Sequence, residues 1–359
     1  MNYIKDVAAS LKRLSAFWDK GCYDRPPIIV RFPAEGDTPE EWSNACMAHE
    51  EHYLYWDKVL KQRASLCDDY IPTAAIDLGP SFMAGILGAE MHFINGTSWS
   101  EHILRDWSQI EQLEQYLSDD KNNTWLNIFL DRVQYFVEKC EGKYAVGLPN
   151  LTGPGDIMTA LRGPTDICMD FHLYEEEIKK LGEICTNAWL ELAEIQFNLI
   201  PKLDNGYCDY YGYWTPGRSC FLAEDISALL SPEMYMEFLF PLDCRAIEIL
   251  DISWYHIHSA QARLIPYLLK LPKIRCIQVV NDRPAGPELK EILPFLKMVQ
   301  KDHCVILRKY KFEELLEVLP EFRPEGLMID TFCSSLKEAE EIVEYWNRNF
   351  RSICRGDHK

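Results

Sequence analysis

The sequence has no Cys-x-x-Cys pair, no apolar run near the roughly 20 residues that span a bilayer, and too few cations to balance its acids. Each deficit excludes something. Thirteen scattered cysteines without a pairing pattern read as reduced thiols rather than a disulfide framework, which leaves single cysteines free to act as metal ligands or core residues. The N-terminal stretch Met1-Asn-Tyr-Ile-Lys-Asp-Val7 lacks the apolar segment of a signal peptide, so the expectation is a cytoplasmic protein that spans no membrane. With 37 Lys and Arg against 56 Asp and Glu, the formal charge is −19. That argues against a nucleic-acid backbone or an anionic lipid surface as partner, because both are bound by clustered cations.

What is present is ordinary for a globular chain: 359 residues, 47% hydrophobic and 26% charged, enough to build a sizeable core. Residues 1–20 place Ile4, Val7, Leu11, Leu14 and Trp18 on one helical face. A short strand follows at Pro27–Pro33, then a long helix from Pro39 to Arg63 opened by Thr38. These precede any regular alternation, so residues 1–65 are expected to form an N-terminal helical extension packed on the main body.

From residue 66 to 350 the chain settles into short apolar strands followed by helices, without a low-complexity linker, and 351–359 reads as a tail. Strands at 144–149, 206–213, 220–224, 252–258, 275–280, 304–308 and 326–332 alternate with helical patterns. Ser231-Pro-Glu is a helix start, with Ser as the cap and Pro at the first helical position. Apolar strands joined by crossover helices call for a parallel sheet covered on both faces, and about eight such units favour a TIM (β/α)8 barrel as one domain.

Chemistry concentrates at strand ends. Ile252-Ser-Trp-Tyr-His-Ile-His-Ser259 puts His256 and His258 on one face, with Tyr255 and Ile257 on the other, just before a helix. Glu224 and Cys333 also close apolar strands, so a barrel would bring them to the same rim as the histidines. Carboxylate, imidazole and thiolate suit zinc, which takes O, N and S donors and keeps one position open when it is catalytic. The same residues read equally as a packing histidine, a surface histidine and a small residue at a helix start. The aromatic run Tyr207–Arg218 offers Tyr211, Tyr213 and Trp214 for a substrate pocket. Arg283, in the loop after a strand, could hold a substrate carboxylate, although a solvated loop arginine is the commoner outcome. Asp77 ends another strand, either at the edge of the mouth or simply in a turn. Arg31 reads as a salt-bridge residue at the barrel base.

Several segments together resemble the uroporphyrinogen decarboxylase superfamily, on its cobalamin-dependent methyltransferase side. They are Leu151-Thr-Gly-Pro-Gly-Asp-Ile-Met-Thr-Ala-Leu-Arg-Gly163, Ser231-Pro-Glu-Met-Tyr-Met-Glu-Phe-Leu-Phe-Pro241, His256-Ile-His-Ser259 and Thr331-Phe-Cys-Ser-Ser-Leu-Lys-Glu-Ala-Glu340. The resemblance covers about residues 65–350 and implies a single barrel with its site in the strand C-terminal mouth. It implies zinc held by His256 and Cys333, with Glu224 as the remaining ligand and His258 as the alternative to it, and Asp225 or Asp330 orienting an imidazole. His258 stands where those zinc enzymes carry Cys. It further implies methyl transfer between a small thiol and a methylcorrinoid carried on a separate protein, since no Asp-x-His-x-x-Gly corrinoid motif occurs in this chain. A decarboxylase-like lyase fits less well, because the glycine-containing arginine motif of those enzymes is missing around Arg25–Pro33. A non-catalytic small-molecule binder is the third possibility.

Overall fold

The computed structural model describes residues 1, 3, 6–34, 48–94, 97–114 and 123–354. In chain order its strands are β1 (Ile28–Arg31), β2 (Thr73–Ala75), β3 (Met91–Ile94), β4 (Thr97–Ser100), β5 (Ala145–Gly147) and β6 (Gly206–Cys208). They continue as β7 (Trp214–Pro216), β8 (Ser219–Ala223), β9 (Ile252–His258), β10 (Ile274–Val280), β11 (Cys304–Lys311) and β12 (Leu327–Phe332).

Six of them form one sheet in the order β1-β12-β11-β10-β9-β8, with every pairing parallel. The reason lies in the strands: β8, β10 and β12 are buried almost throughout, which requires cover on both faces. Helices Leu289–Asp302 and Phe312–Val318 provide the crossovers between β10, β11 and β12. Helix Leu336–Ile353 follows β12 and is tied to the chain just before β1 by a hydrogen bond from Trp346 Nε1 to the Pro26 carbonyl, 3.1 Å. Thus the first strand sits beside the last, Ile28 opposite Ile329.

Beyond this sheet, β2 and β5 pair in parallel, and a bridge between Leu148 and Asp209 carries β5 towards β6. The Asp69 N–H donates to the Ile28 carbonyl at 2.8 Å, and Val30 N–H donates to Asp68 Oδ2 at 3.0 Å, so the segment entering β2 is fastened to β1. Hairpins β3–β4 and β6–β7 are antiparallel.

Helix Val7–Trp18, capped by the Asp6 carboxylate accepting from Ala9 N–H at 3.0 Å, closes one end of the sheet. Its Phe17 carbonyl accepts from the thiol of Cys304, the first residue of β11. Its Trp18 Nε1 donates to the Trp214 carbonyl at 2.8 Å. That end is therefore sealed by packing, and the strand C-termini form the open one.

Several expectations shift. Ile28–Arg31, assigned above to the extension, is a member of the central sheet, so a boundary at residue 65 cuts through the sheet. Arg31 does form a salt bridge, to Asp330 at 2.7 Å, but at the C-terminal end of β1 rather than at the base. The helix expected from Pro39 is described as His49–Gln62; its expected start lies outside the described residues, as do tail residues 355–359. The strand expected over 206–213 stops at Cys208 because Asp209 Oδ1 accepts from both Tyr211 N–H and Tyr213 N–H, folding the chain into a turn. Gly212 takes φ +79° in that turn, a region other residues rarely adopt.

Candidate metal centre and its cavity

Strand β9 alternates as its sequence dictates. Tyr255 donates from its hydroxyl to Asp243 at 2.9 Å, and Ile257 is fully buried. His256 and His258 share the other face, with ring centroids 5.4 Å apart. The neighbouring β8 carries Phe221 and Ala223 into the cavity at the open end, and Asp225 continues that alternation one step past the strand. One ligand atom each from Asp225, His256 and His258 lies within 4.8 Å of the other two. The Nε2 of His258 is 3.7 Å from Asp225 Oδ1. Two donors of a tetrahedral zinc with bonds near 2.0–2.1 Å stand about 3.3 Å apart. Side-chain rotations that draw the three atoms in from separations of up to 4.8 Å would bring them to that spacing, and their O and N donor types are ones zinc accepts.

Both imidazoles are held from behind. His256 Nδ1 meets Gln278 Oε1; Gln278 Nε2 donates to Tyr213 Oη at 3.0 Å, and Tyr213 donates in turn to Asp330. Arg31 and Arg308 both pair with that carboxylate. Because Asp330 only accepts when ionised, each donor in the chain is assigned: the glutamine oxygen faces His256, whose proton sits on Nδ1, leaving the Nε2 lone pair free. Burial pushes the His256 imidazole down to about 3, so it is neutral across the physiological range. Burial alone would raise Asp330, but Arg31 and Arg308 outweigh it and hold the carboxyl below its usual range. His258 Nδ1 lies 3.0 Å from Asp282 Oδ1, which points its Nε2 towards Asp225. Loss of hydration within the concave mouth raises the Asp225 carboxyl, with His258 acting in the opposite sense.

The cavity beside the cluster has a volume of about 440 Å³. Tyr211, Phe221 and His256 form one wall, and Asn150, Asp156 and Trp99 lie around the rest. Tyr211 lies nearly parallel to the His256 ring, centroids 6.3 Å apart, and packs on Tyr210 at 3.9 Å.

The structure brings His256 and His258 together with Asp225 and places the other expected ligands elsewhere. Glu224 turns away from the mouth, since it follows Ala223 and precedes Asp225 on an alternating strand end. Its Oε1 accepts from Gly155 N–H and its Oε2 from Asp156 N–H, both at 2.9 Å, at the start of helix Pro154–Arg162. A Cβ at Gly153 or Gly155 would stand 2.4 or 2.5 Å from these oxygens. That explains Thr-Gly-Pro-Gly-Asp physically: it is a cradle for a buried carboxyl. Burial, then the charges of Asp243 and Asp156, raise Glu224 well above its usual range. Cys333 lines a second cavity, and its thiol donates to the Ser335 carbonyl at 3.3 Å.

Among the residues expected to face substrate, Tyr211 lines the cavity, while Tyr213 is wholly buried in the hydrogen-bond chain behind His256. Trp214 is a packing residue in β7, its Nε1 donating to the Leu203 carbonyl at 2.7 Å. Arg283 is engaged on the surface with Glu288 and Glu314, so it is not poised for a ligand. Sequence reasoning missed Gln278, Arg308 and the linking role of Asp282. For Gln278 the available signal was a polar residue in an otherwise apolar strand, Cys276-Ile-Gln-Val-Val280.

No protein-family model and no curated protein matches the chain. Among solved structures there is a match. The fold is similar to that of a methyltransferase from Methanosarcina mazei. The alignment covers 96% of this chain and 99% of the other, with a TM-score of 0.66 and 12% sequence identity. Similarity at that identity establishes the shared fold, and the α/β architecture on a parallel sheet agrees with it. No helix among the described residues is long and apolar enough to cross a membrane.

Proposed function

We propose that this chain is a zinc-dependent methyltransferase of the uroporphyrinogen decarboxylase superfamily, with Asp225, His256 and His258 as the protein ligands. In this reading the two parallel sheets belong to one (β/α)8 cylinder in a cytoplasmic protein. The methyl group moves between a small thiol and a corrinoid on a separate carrier protein. The observation that carries the reading is the convergence of those three side chains at the cavity, in a fold shared with a methyltransferase.

Zinc, when bound, would act as a Lewis acid that keeps a thiol ionised at neutral pH. The remaining work falls to the chain. Gln278 fixes the His256 tautomer, so no proton must leave that ring for it to coordinate. Asp282 does the same for His258. Tyr211 and Phe221 wall the space beside His256 with aromatic surface, which excludes water from a reacting sulfur.

A metal-free lyase is the runner-up, favoured by Asp77, which lies near enough to Tyr210 and Tyr211 of the cavity wall to act on them electrostatically and whose carboxyl burial raises to about 6. A proton-transfer group near neutrality suits decarboxylation. Zinc analysis separates the two readings. About one zinc per chain is expected after equilibration and dialysis, falling to background in His256→Ala. The loaded protein should convert free methylcob(III)alamin to cob(I)alamin, seen as a spectral change, when offered small thiols. A chain that takes up no zinc and leaves the methylcorrinoid spectrum unchanged sinks the proposal.

A further inference from the structure

A second cavity of about 340 Å³ opens at the C-terminal ends of β1, β11 and β12. Its charged lining is Arg31, Arg308, Lys309 and Asp330, three cations to one carboxylate in a chain of net charge −19. The rest of the wall is largely apolar, with Phe32, Pro33 and Phe332.

Asp330 is already divided. It accepts from Arg31 Nε and Nη2 at 2.7 and 2.8 Å, from Arg308 Nε at 3.2 Å, and from Tyr213. Arg31 Nη2 is further committed to the Tyr211 carbonyl at 2.7 Å. Arg308 spends only its Nε on the protein: its two terminal nitrogens have no hydrogen-bond acceptor among the described residues, although its side chain is only 16% exposed. Stacking fixes the guanidinium in place, with Cζ 4.1 Å from the centroid of the Tyr211 ring. A half-buried, oriented fork with two idle N–H edges matches the geometry of an oxyanion.

The backbone is shaped to the same end. The pairing of β11 with β12 shifts register between Arg308 and Tyr310, so Lys309 is a bulged residue, and it adopts φ +63°. On a regular strand, residues 308 and 309 would face opposite sides of the sheet. The bulge lets both line this one cavity, at the cost of a left-handed backbone in a non-glycine residue.

We propose that this cavity binds a small molecule that ends in a carboxylate or phosphate, through Arg308 and Lys309, with its apolar body against Phe32 and Phe332. The site needs no metal, so it stands or falls apart from the zinc reading. Tyr211 borders both places: its ring touches Arg308 on one hand and lies beside His256 on the other.

The experiment is calorimetric titration of the full chain with benzoate, phenyl phosphate and benzyl alcohol as probes. At least one anion is expected to bind in the millimolar range or tighter, with the neutral alcohol much weaker; which anion binds better tells carboxylate from phosphate. Arg308→Gln should weaken the preferred anion about tenfold or more, the effect of losing a charge-assisted fork. Arg308 also braces Asp330, so Lys309→Gln serves as the independent variant. Lys309 is exposed and makes no hydrogen bond or ion pair with other described residues, and its loss should weaken binding by about threefold. His256→Ala should keep anion binding while losing zinc. Failure of both anions to bind, equal binding of benzyl alcohol, unchanged affinity in both cavity variants, or loss of binding in His256→Ala overturns the assignment.

Discussion

Replacing Gln278 by Leu tests the hydrogen-bond chain behind the candidate metal centre. The change keeps approximate volume but removes the only described acceptor for His256 Nδ1–H and the donor to Tyr213. Without that acceptor the buried ring loses its reason to keep Nε2 free, and the lone pair can turn away from Asp225 and His258. Groups that orient a ligating histidine from behind contribute about 10–100-fold in metal affinity. The zinc dissociation constant should rise by that factor, equivalent to roughly 1.4–2.8 kcal/mol. The assay is competition against a chromogenic chelator at fixed pH. The buried His256 N–H is also left unmatched, while Tyr213 keeps its bond to Asp330, so the metal-free variant should lose about 1–3 kcal/mol of stability in a denaturant titration. Gln278→Glu restores an acceptor for Nδ1–H and should recover part of the affinity, which a merely structural role for the amide would not explain. A Gln278→Leu variant whose zinc affinity stays within threefold of the parent refutes the argument.

The two neighbouring carboxyls should separate cleanly. Asp225→Asn should lower zinc affinity by at least about tenfold, whereas Glu224→Gln should leave it within a few-fold and instead cost about 1–3 kcal/mol of stability. In that variant an amide N–H faces the N–H of Gly155 or Asp156. Asp209 offers a test by pH. Burial raises its carboxyl to about 7, and its Oδ2 has no hydrogen-bond partner among the described residues. A raised folded-state value means that the folded chain holds the proton longer than the unfolded one. Stability from this group is therefore complete below about pH 4 and is lost as pH climbs through about 7. Asp209→Asn should leave stability unchanged at pH 4 and raise it by up to about 4 kcal/mol at pH 8, read from paired urea titrations. Equal effects at both pH values contradict the assignment.

Much of the candidate centre was legible in the chain because the information is local. A strand of Ile252–His258 has a two-residue period, so His256 and His258 must share a face wherever the strand lies. Ser231 before Pro232 makes its cap in the structure, its hydroxyl accepting from Met234 N–H at 3.2 Å. The alternation of apolar strands and helices likewise announced a parallel sheet. Arg31 is an intermediate case: its salt bridge was foreseeable from residue type, but which end of the sheet it occupies was not.

What only the tertiary structure decided is which chemistry each strand end presents. Glu224 and Asp225 are adjacent carboxyls, and their sequence alone does not say which faces the mouth. The register of β8 against β9, Ala223 opposite His256, settles it for Asp225 and hands Glu224 to the helix behind. The partners Gln278, Tyr213 and Asp330 come from three separate segments of the chain, and nothing in local spacing joins them. The bulge at Lys309 is invisible in a run that reads as plain strand. The physical reason is common to all three: a residue's period is set by its own backbone, but its partners are set by how strands pair and where helices pack.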